Sequence, residues 1–160
     1  NVGLSASVIA DHFTLLGALP TGLTLERVCS LVGVSTRDEK IALGEAALKI
    51  DPKASALRVN NDYHGLSVTN LDDAVSPAAL FRATAEHLVE ESANMVSLIE
   101  KFTGPATEVV VAGGWVKNPM IASAKKKQFG SYKVSDATEA GATGAAQFAG
   151  VAAGIFKLKN

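Results

Sequence analysis

The sequence predicts a three-layer α/β domain with a mixed, at least partly parallel sheet flanked by helices. Three observations carry that expectation. From residue 76 onward the elements read α-β-α-β-α, with strand-like segments ahead of them. Residues 109–112, Val-Val-Val-Ala, are apolar without alternation, as in a strand covered on both faces. That run ends in Gly113-Gly114 and passes through Asn118-Pro119 into helical spacing, the strand–turn–helix order of parallel sheets. A length of 160 residues with 48% hydrophobic content suits a single domain with one sizeable core.

Taken in order, residues 1–10 alternate and are expected to form a strand. No methionine opens the chain, so a fragment of a longer protein is expected. Residues 13–19 are a second strand, stopped by Pro20-Thr21-Gly22. Residues 21–31 form a helix with Leu23, Val28 and Leu31 near one face and Gly33 as its stop. A short helix over 36–49 is capped by Ser35 or Thr36 and ends before Asp51-Pro52. Residues 57–59 and 66–68 are short strands separated by a polar turn, Asn60-Asn61-Asp62.

Ser76 then caps the longest helix, with Pro77 at its first position. Leu80, Thr84, Leu88, Met95, Leu98 and Phe102 recur along it at helical intervals as far as Gly104-Pro105. After the central strand come a helix over 120–127, a strand over 132–134 and a last helix over 139–154, capped by Asp136 or Thr138. Glycine and alanine occupy many faces of that last helix, which costs helix propensity. Close packing against the sheet or the glycine turn accounts for them with or without a ligand, and Ala145→Leu is then expected to overpack.

Several function classes find no support. A net charge of −1 provides no long-range attraction to nucleic acid or anionic lipid. No apolar run reaches the ~20 residues of a membrane span, and no secretory signal opens the chain. The single cysteine, Cys29, reads as a reduced core thiol in a cytoplasmic protein. His12, His64 and His87 lack metal-ligand spacing, so no metal site is expected. Lys125-Lys126-Lys127 reads as a solvated helix face and Asp72-Asp73 as an acidic pair ahead of a helix. No G-x-S-x-G elbow supports a hydrolase.

What remains is the glycine doublet. A strand that ends in Gly-Gly brings bare backbone close to whatever sits at its carboxyl end, where open α/β sheets bind ligands. Gly113 and Gly114 are therefore expected to floor a nucleotide site.

The pairing of V-V-V-A-G-G-W-V-K-N-P with the later E-A-G-A-T-G-A-A-Q-F-A-G-V-A-A-G resembles the carboxyl-terminal domain of FGGY-family carbohydrate kinases. These belong to the actin-like ATPase superfamily, with a ribonuclease H-like fold. The resemblance takes in R-A-T-A-E-H in the long helix and L-L-G-A-L-P-T-G-L-T-L-E-R-V near the start. It is good over 76–154 and fair over 13–33, while 34–64 reads as a poorly matched, insertion-like segment. The resemblance implies that the chain is one domain, the nucleotide-binding half of a two-domain sugar kinase, truncated at its amino-terminal end.

It also implies roles. Gly113 and Gly114 match the adenosine motif, and the Asn118 amide matches a position facing the adenine. Trp115 either flanks the base or covers the turn. Gly22 and Glu26 match a helix start that faces the ribose and phosphates, although Glu26 also reads as an ordinary surface glutamate. ATP or ADP with Mg²⁺ is the implied ligand of the full-length enzyme, which would transfer the γ-phosphoryl group to a sugar or polyol hydroxyl. The first phosphate loop, the second phosphate loop and the catalytic aspartate of the family are absent from this chain, so no catalytic residue is assigned. The carbohydrate would bind the missing amino-terminal domain, and this piece alone is expected to be inactive. An edge strand near residues 1–10 would leave a homodimer open. Two other readings remain: a non-catalytic actin-like interaction or regulatory module, and an α/β domain for another nucleotide-containing ligand.

Overall fold

Four helices and one hairpin share the apolar residues that form the core. In the computed structural model, residues 2–7, 13–52, 57–62, 65–72, 75–137 and 139–157 are described. They form β1 (Val2–Ala6), β2 (Phe13–Gly17), α1 (Thr21–Leu31), α2 (Arg37–Leu48), β3 (Arg58–Asp62), β4 (Gly65–Thr69) and α3 (Pro77–Thr103). After these come β5 (Val110–Val111), a 3-10 turn (Gly114–Lys117), α4 (Pro119–Phe129), β6 (Lys133–Val134) and α5 (Ala140–Ala152). His12, His64, Asp73, Thr138 and the end of the first expected strand lie outside the described residues.

The spine is α3. Ser76 Oγ accepts the Ala79 N–H at 3.1 Å, Pro77 occupies the first turn, and Gly104 at φ +78° ends the helix. Its 27 residues span about 40 Å, and the buried ones run only from Ala79 to Val89. That first half packs on α1, α2 and α4. The apolar stripe read from sequence continues further, yet Phe102 at its end is exposed. Met95 lies against Gly17 of β2, where a Cβ would stand 2.5 Å from its Cγ. The core is therefore formed by half of the stripe.

On α1 the buried face is Leu25, Val28 and Cys29, and Leu23 and Leu31 are exposed. Leu25, Val28, Cys29 and Val32 form an i, i+3, i+4, i+7 series, and Leu23 lies about 200° round the helix from Leu25. Cys29 is a buried free thiol whose pKa is raised, chiefly by that burial. The start of α2 is a capping box: Glu39 Oε2 accepts the Thr36 N–H at 2.9 Å, and Thr36 Oγ1 accepts the Glu39 N–H at 3.3 Å. Its far end is met from α3. Arg82 Nη1 donates to the carbonyls of Ala47 (3.3 Å) and Ile50 (2.6 Å), adding side-chain donors where the helix's own backbone bonds run out.

The described strands form three separate two-stranded ladders, which corrects the expectation of one continuous sheet in three layers. β1–β2 and β3–β4 are antiparallel, with Val2 opposite Gly17 and Arg58 opposite Thr69. β5–β6 is parallel. The mixed α/β class holds, with both kinds of pairing present. The central strand is shorter and less covered than its apolar run suggests: Val111 is buried, whereas Val110 is 55% exposed. Asn60, Asn61 and Asp62 are strand, not turn, because the structure gives Asn61 partners. Thr24 Oγ1 donates to Asn61 Oδ1 at 3.2 Å, and the Asn61 N–H donates to His87 Nε2 at 3.2 Å.

The last helix also departs from expectation. Of α5 only Gly150 is buried, and Glu139, not Asp136, holds the cap position without a side-chain bond. A Cβ at Gly150 would overlap the Phe156 ring, which folds back after Gly154 at φ +72°. At Gly141 and Gly144 a Cβ would meet nothing within 4 Å. The small residues of this helix thus answer to one local contact and not to a covering sheet. Lys125 is likewise not a simple solvated charge, being half-buried with its pKa lowered by desolvation. Among the described residues no helix is long and apolar enough to cross a membrane.

Two outcomes test this description. Bonds from the Thr36 and Ser35 backbone lower the Glu39 pKa from 4.5 to about 2. Its stabilising effect is therefore present above pH 4.5 and lost as pH falls through 2. Glu39→Gln is expected to melt below the wild type at pH 7 and to converge with it in acid. Ala145→Leu, on an exposed face, is expected to shift stability by no more than about 0.5 kcal/mol in a denaturant melt. A loss above ~1 kcal/mol would show that the face is covered.

Candidate functional site

The glycine doublet sits where the sequence places it, at the carboxyl end of a parallel strand. Lys133 N–H donates to the Val109 carbonyl at 2.9 Å and Ser135 N–H to that of Val111 at 2.8 Å, fixing β6 beside β5. Beyond Ala112, Gly113 adopts φ +105°, a conformation that side chains disfavour. Gly114 then opens the 3-10 turn, and a Cβ built on it would meet nothing within 4 Å. The bare backbone faces open space.

That space is a cleft of about 920 Å³, larger than two others of 540 and 280 Å³. Glu26 of α1 with Arg37 and Lys40 of α2 form one side, the 3-10 turn the floor, and residues 134–137 and 139–141 the other side. Three cations (Arg37, Lys40, Lys117) and three acids (Glu26, Asp136, Glu139) line it, so the cleft carries no strong net field.

Trp115 organises the floor. Its ring lies 5.9 Å from that of the buried Phe81, tilted by 37°. Lys40 Nζ stands over the indole, 5.7 Å from the ring centroid. A Cβ at Gly22 would sit 3.9 Å from Trp115 Cδ1, so α1 begins near the ring edge with room for a methyl between them. Glu26 Oε2 pairs with Lys40 Nζ at 2.6 Å. Trp115 thus packs on the core through Phe81 and borders the cleft.

Asn118 has a structural role at the edge of the cleft. It is 3% exposed and its amide is engaged at both ends. Oδ1 accepts the N–H groups of Met120 (3.0 Å) and Ile121 (3.3 Å), capping α4, while Nδ2 donates to the Lys40 carbonyl at 2.8 Å. The capping bonds use both acceptor positions of Oδ1, and one Nδ2 N–H remains on a side chain that also lines the cleft. Gly44 makes room for it, since a Cβ there would come within 2.5 Å of Asn118 Oδ1.

The structure therefore brings Gly22, Glu26, Gly113, Gly114 and Trp115 together and places Asn118 beneath them. Sequence reasoning missed Arg37 and Lys40, which fall inside the segment set aside as insertion-like. The available signal was helical phase: Lys40 lies one turn before Gly44, the only glycine in α2.

The sequence matches no protein-family model and no curated protein. Its fold is similar to part of two solved xylulose kinases. With the enzyme from Rhodospirillum rubrum the TM-score is 0.63 at 15% identity, over 78% of this chain and 28% of that one. With the enzyme from Bifidobacterium adolescentis it is 0.50 at 20% identity, over 62% of this chain and 21% of that one. The chain thus spans under a third of the length of either enzyme, and at these identities what is shared is the fold.

The contact between Gly44 and Asn118 yields a coupling test. Gly44→Ala and Asn118→Ala are each expected to lose about 1–3 kcal/mol in urea melts. The double variant should lose less than their sum, because the atoms that the new methyl would strike are gone. Additive losses would show that the two positions do not meet.

Proposed function

We propose that this chain is the nucleotide-binding domain of a kinase that transfers the ATP γ-phosphoryl group to a sugar or polyol hydroxyl. The observation that carries the reading is Gly114: side-chain-free backbone at a parallel strand tip, open to the largest of the three clefts. The likeness to part of the two xylulose kinases supports it at the level of fold. A nucleotide fits the residues present, because the 113–114 backbone leaves its space free and Glu26 and the cations offer partners for hydroxyls and phosphates.

Phosphoryl transfer depends mainly on positioning and charge neutralisation. In this reading Gly113 and Gly114 let the nucleotide approach the backbone, Trp115 borders it, and Glu26 faces its ribose. Among the described residues no three His, Cys, Asp or Glu side chains gather as a metal site. The acceptor and its catalytic base belong to an amino-terminal sugar-binding domain of the same cytoplasmic polypeptide, and closure between the two excludes water. By itself this domain binds nucleotide weakly and transfers nothing.

Gly114→Val separates ligand effects from folding, since the added side chain meets no protein atom at its Cβ. In the full chain, with xylulose as the first acceptor tried, it is expected to raise the KM for ATP about tenfold or more. The acceptor KM and the melting temperature should hold. Calorimetric titration with ATP reads the same loss without an acceptor. Equal effects on both substrates, or unaltered ATP binding, would reject the reading.

A further inference from the structure

We infer that Lys40 selects the charge of the ligand in this cleft, admitting phosphorylated nucleosides over nucleosides; the inference rests on the nucleotide reading above. The Lys40 main chain is fixed to the floor by the buried Asn118 amide, 2.8 Å from its carbonyl. The ammonium covers the Trp115 ring and is held there by Glu26 at 2.6 Å. A flat base cannot lie on that part of the indole until Lys40 leaves.

Leaving is easy. The side chains of Lys40 and Glu26 are 22% and 50% exposed, and pairs in such settings, like exposed cation–π contacts, contribute little to stability. Once displaced, the ammonium is still tethered at the cleft wall by its backbone. It is a compact charge with three donors and is satisfied best by phosphate oxygens. Glu26, parted from Lys40, is an acceptor that needs hydroxyl donors, and a ribose supplies them.

The exchange balances only for a ligand that brings both groups. A nucleoside brings Lys40 no anion of its own, and inorganic phosphate adds like charge beside the Glu26 carboxylate and brings no ribose diol. Arg37 and Lys117 line the same cleft and are further cations there for a diphosphate.

Calorimetric titration of the full chain with ADP, adenosine and inorganic phosphate tests this. The wild type is expected to bind ADP at least about tenfold more tightly than adenosine and to ignore phosphate. Lys40→Met should narrow the ADP-to-adenosine preference by about tenfold through lost ADP affinity, while adenosine affinity holds or improves as the indole is uncovered. Lys40→Arg should preserve the preference. Glu26→Gln, which frees the ammonium, should widen it. Equal weakening of ADP and adenosine in Lys40→Met, or an unchanged preference, overturns the inference and leaves the nucleotide reading standing. Absence of ATP, ADP and adenosine binding in the wild type overturns both. If Lys40→Met loses its helical circular dichroism, Glu26→Gln decides: a widened preference supports the inference and an unchanged one ends it.

Discussion

One buried amide holds the cleft in shape. Asn118 ties the start of α4 to the backbone of α2, across 78 residues of sequence, while excluded from water. A buried amide left half-satisfied is costly, so its two ends hold together or fail together. Because Trp115 and Lys40 are attached on either side of it, the distance between floor and wall follows from that amide. Gly44 is the concession that α2 makes to it, a helical position with no side chain.

Around that bond α3 acts on both walls at once. Phe81 and Arg82 are neighbours in sequence with opposite duties. Phe81 supports the indole from the core, and Arg82 closes the carboxyl end of α2 with its guanidinium. Arg82 Nη2 is in turn held by Glu86 at 3.0 Å, one helical turn on. Stability and site geometry thus draw on the same few residues.

Much of this was legible in the sequence because it is local. Ser76-Pro77 announces α3, Thr36 with Glu39 announces α2, and a strand, two glycines and Asn-Pro announce the turn into α4. Asn118 carries a second signal: asparagine directly before a proline at the first helical position is a capping signal. Lys40 was not legible, since its place over Trp115 depends on helices far apart in sequence. The fate of the apolar runs was hidden for a related reason. Periodicity tells which face is apolar and not whether anything covers it, so half of α3, Val110 and the small-residue face of α5 were all assigned burial they do not have.

The parallel ladder beneath the glycine doublet is only two residues long on each strand. Few backbone bonds join the far side of the cleft to its floor, and α5 beyond it buries one glycine. The α2 side, in contrast, is fastened through a water-excluded amide and an aromatic core. The cleft is mechanically lopsided, with a stiff jaw and a compliant one. Amide hydrogens of β6 and α5 are expected at the low-stability end of the molecule, with the ordering entropy of gripping a ligand falling on that jaw.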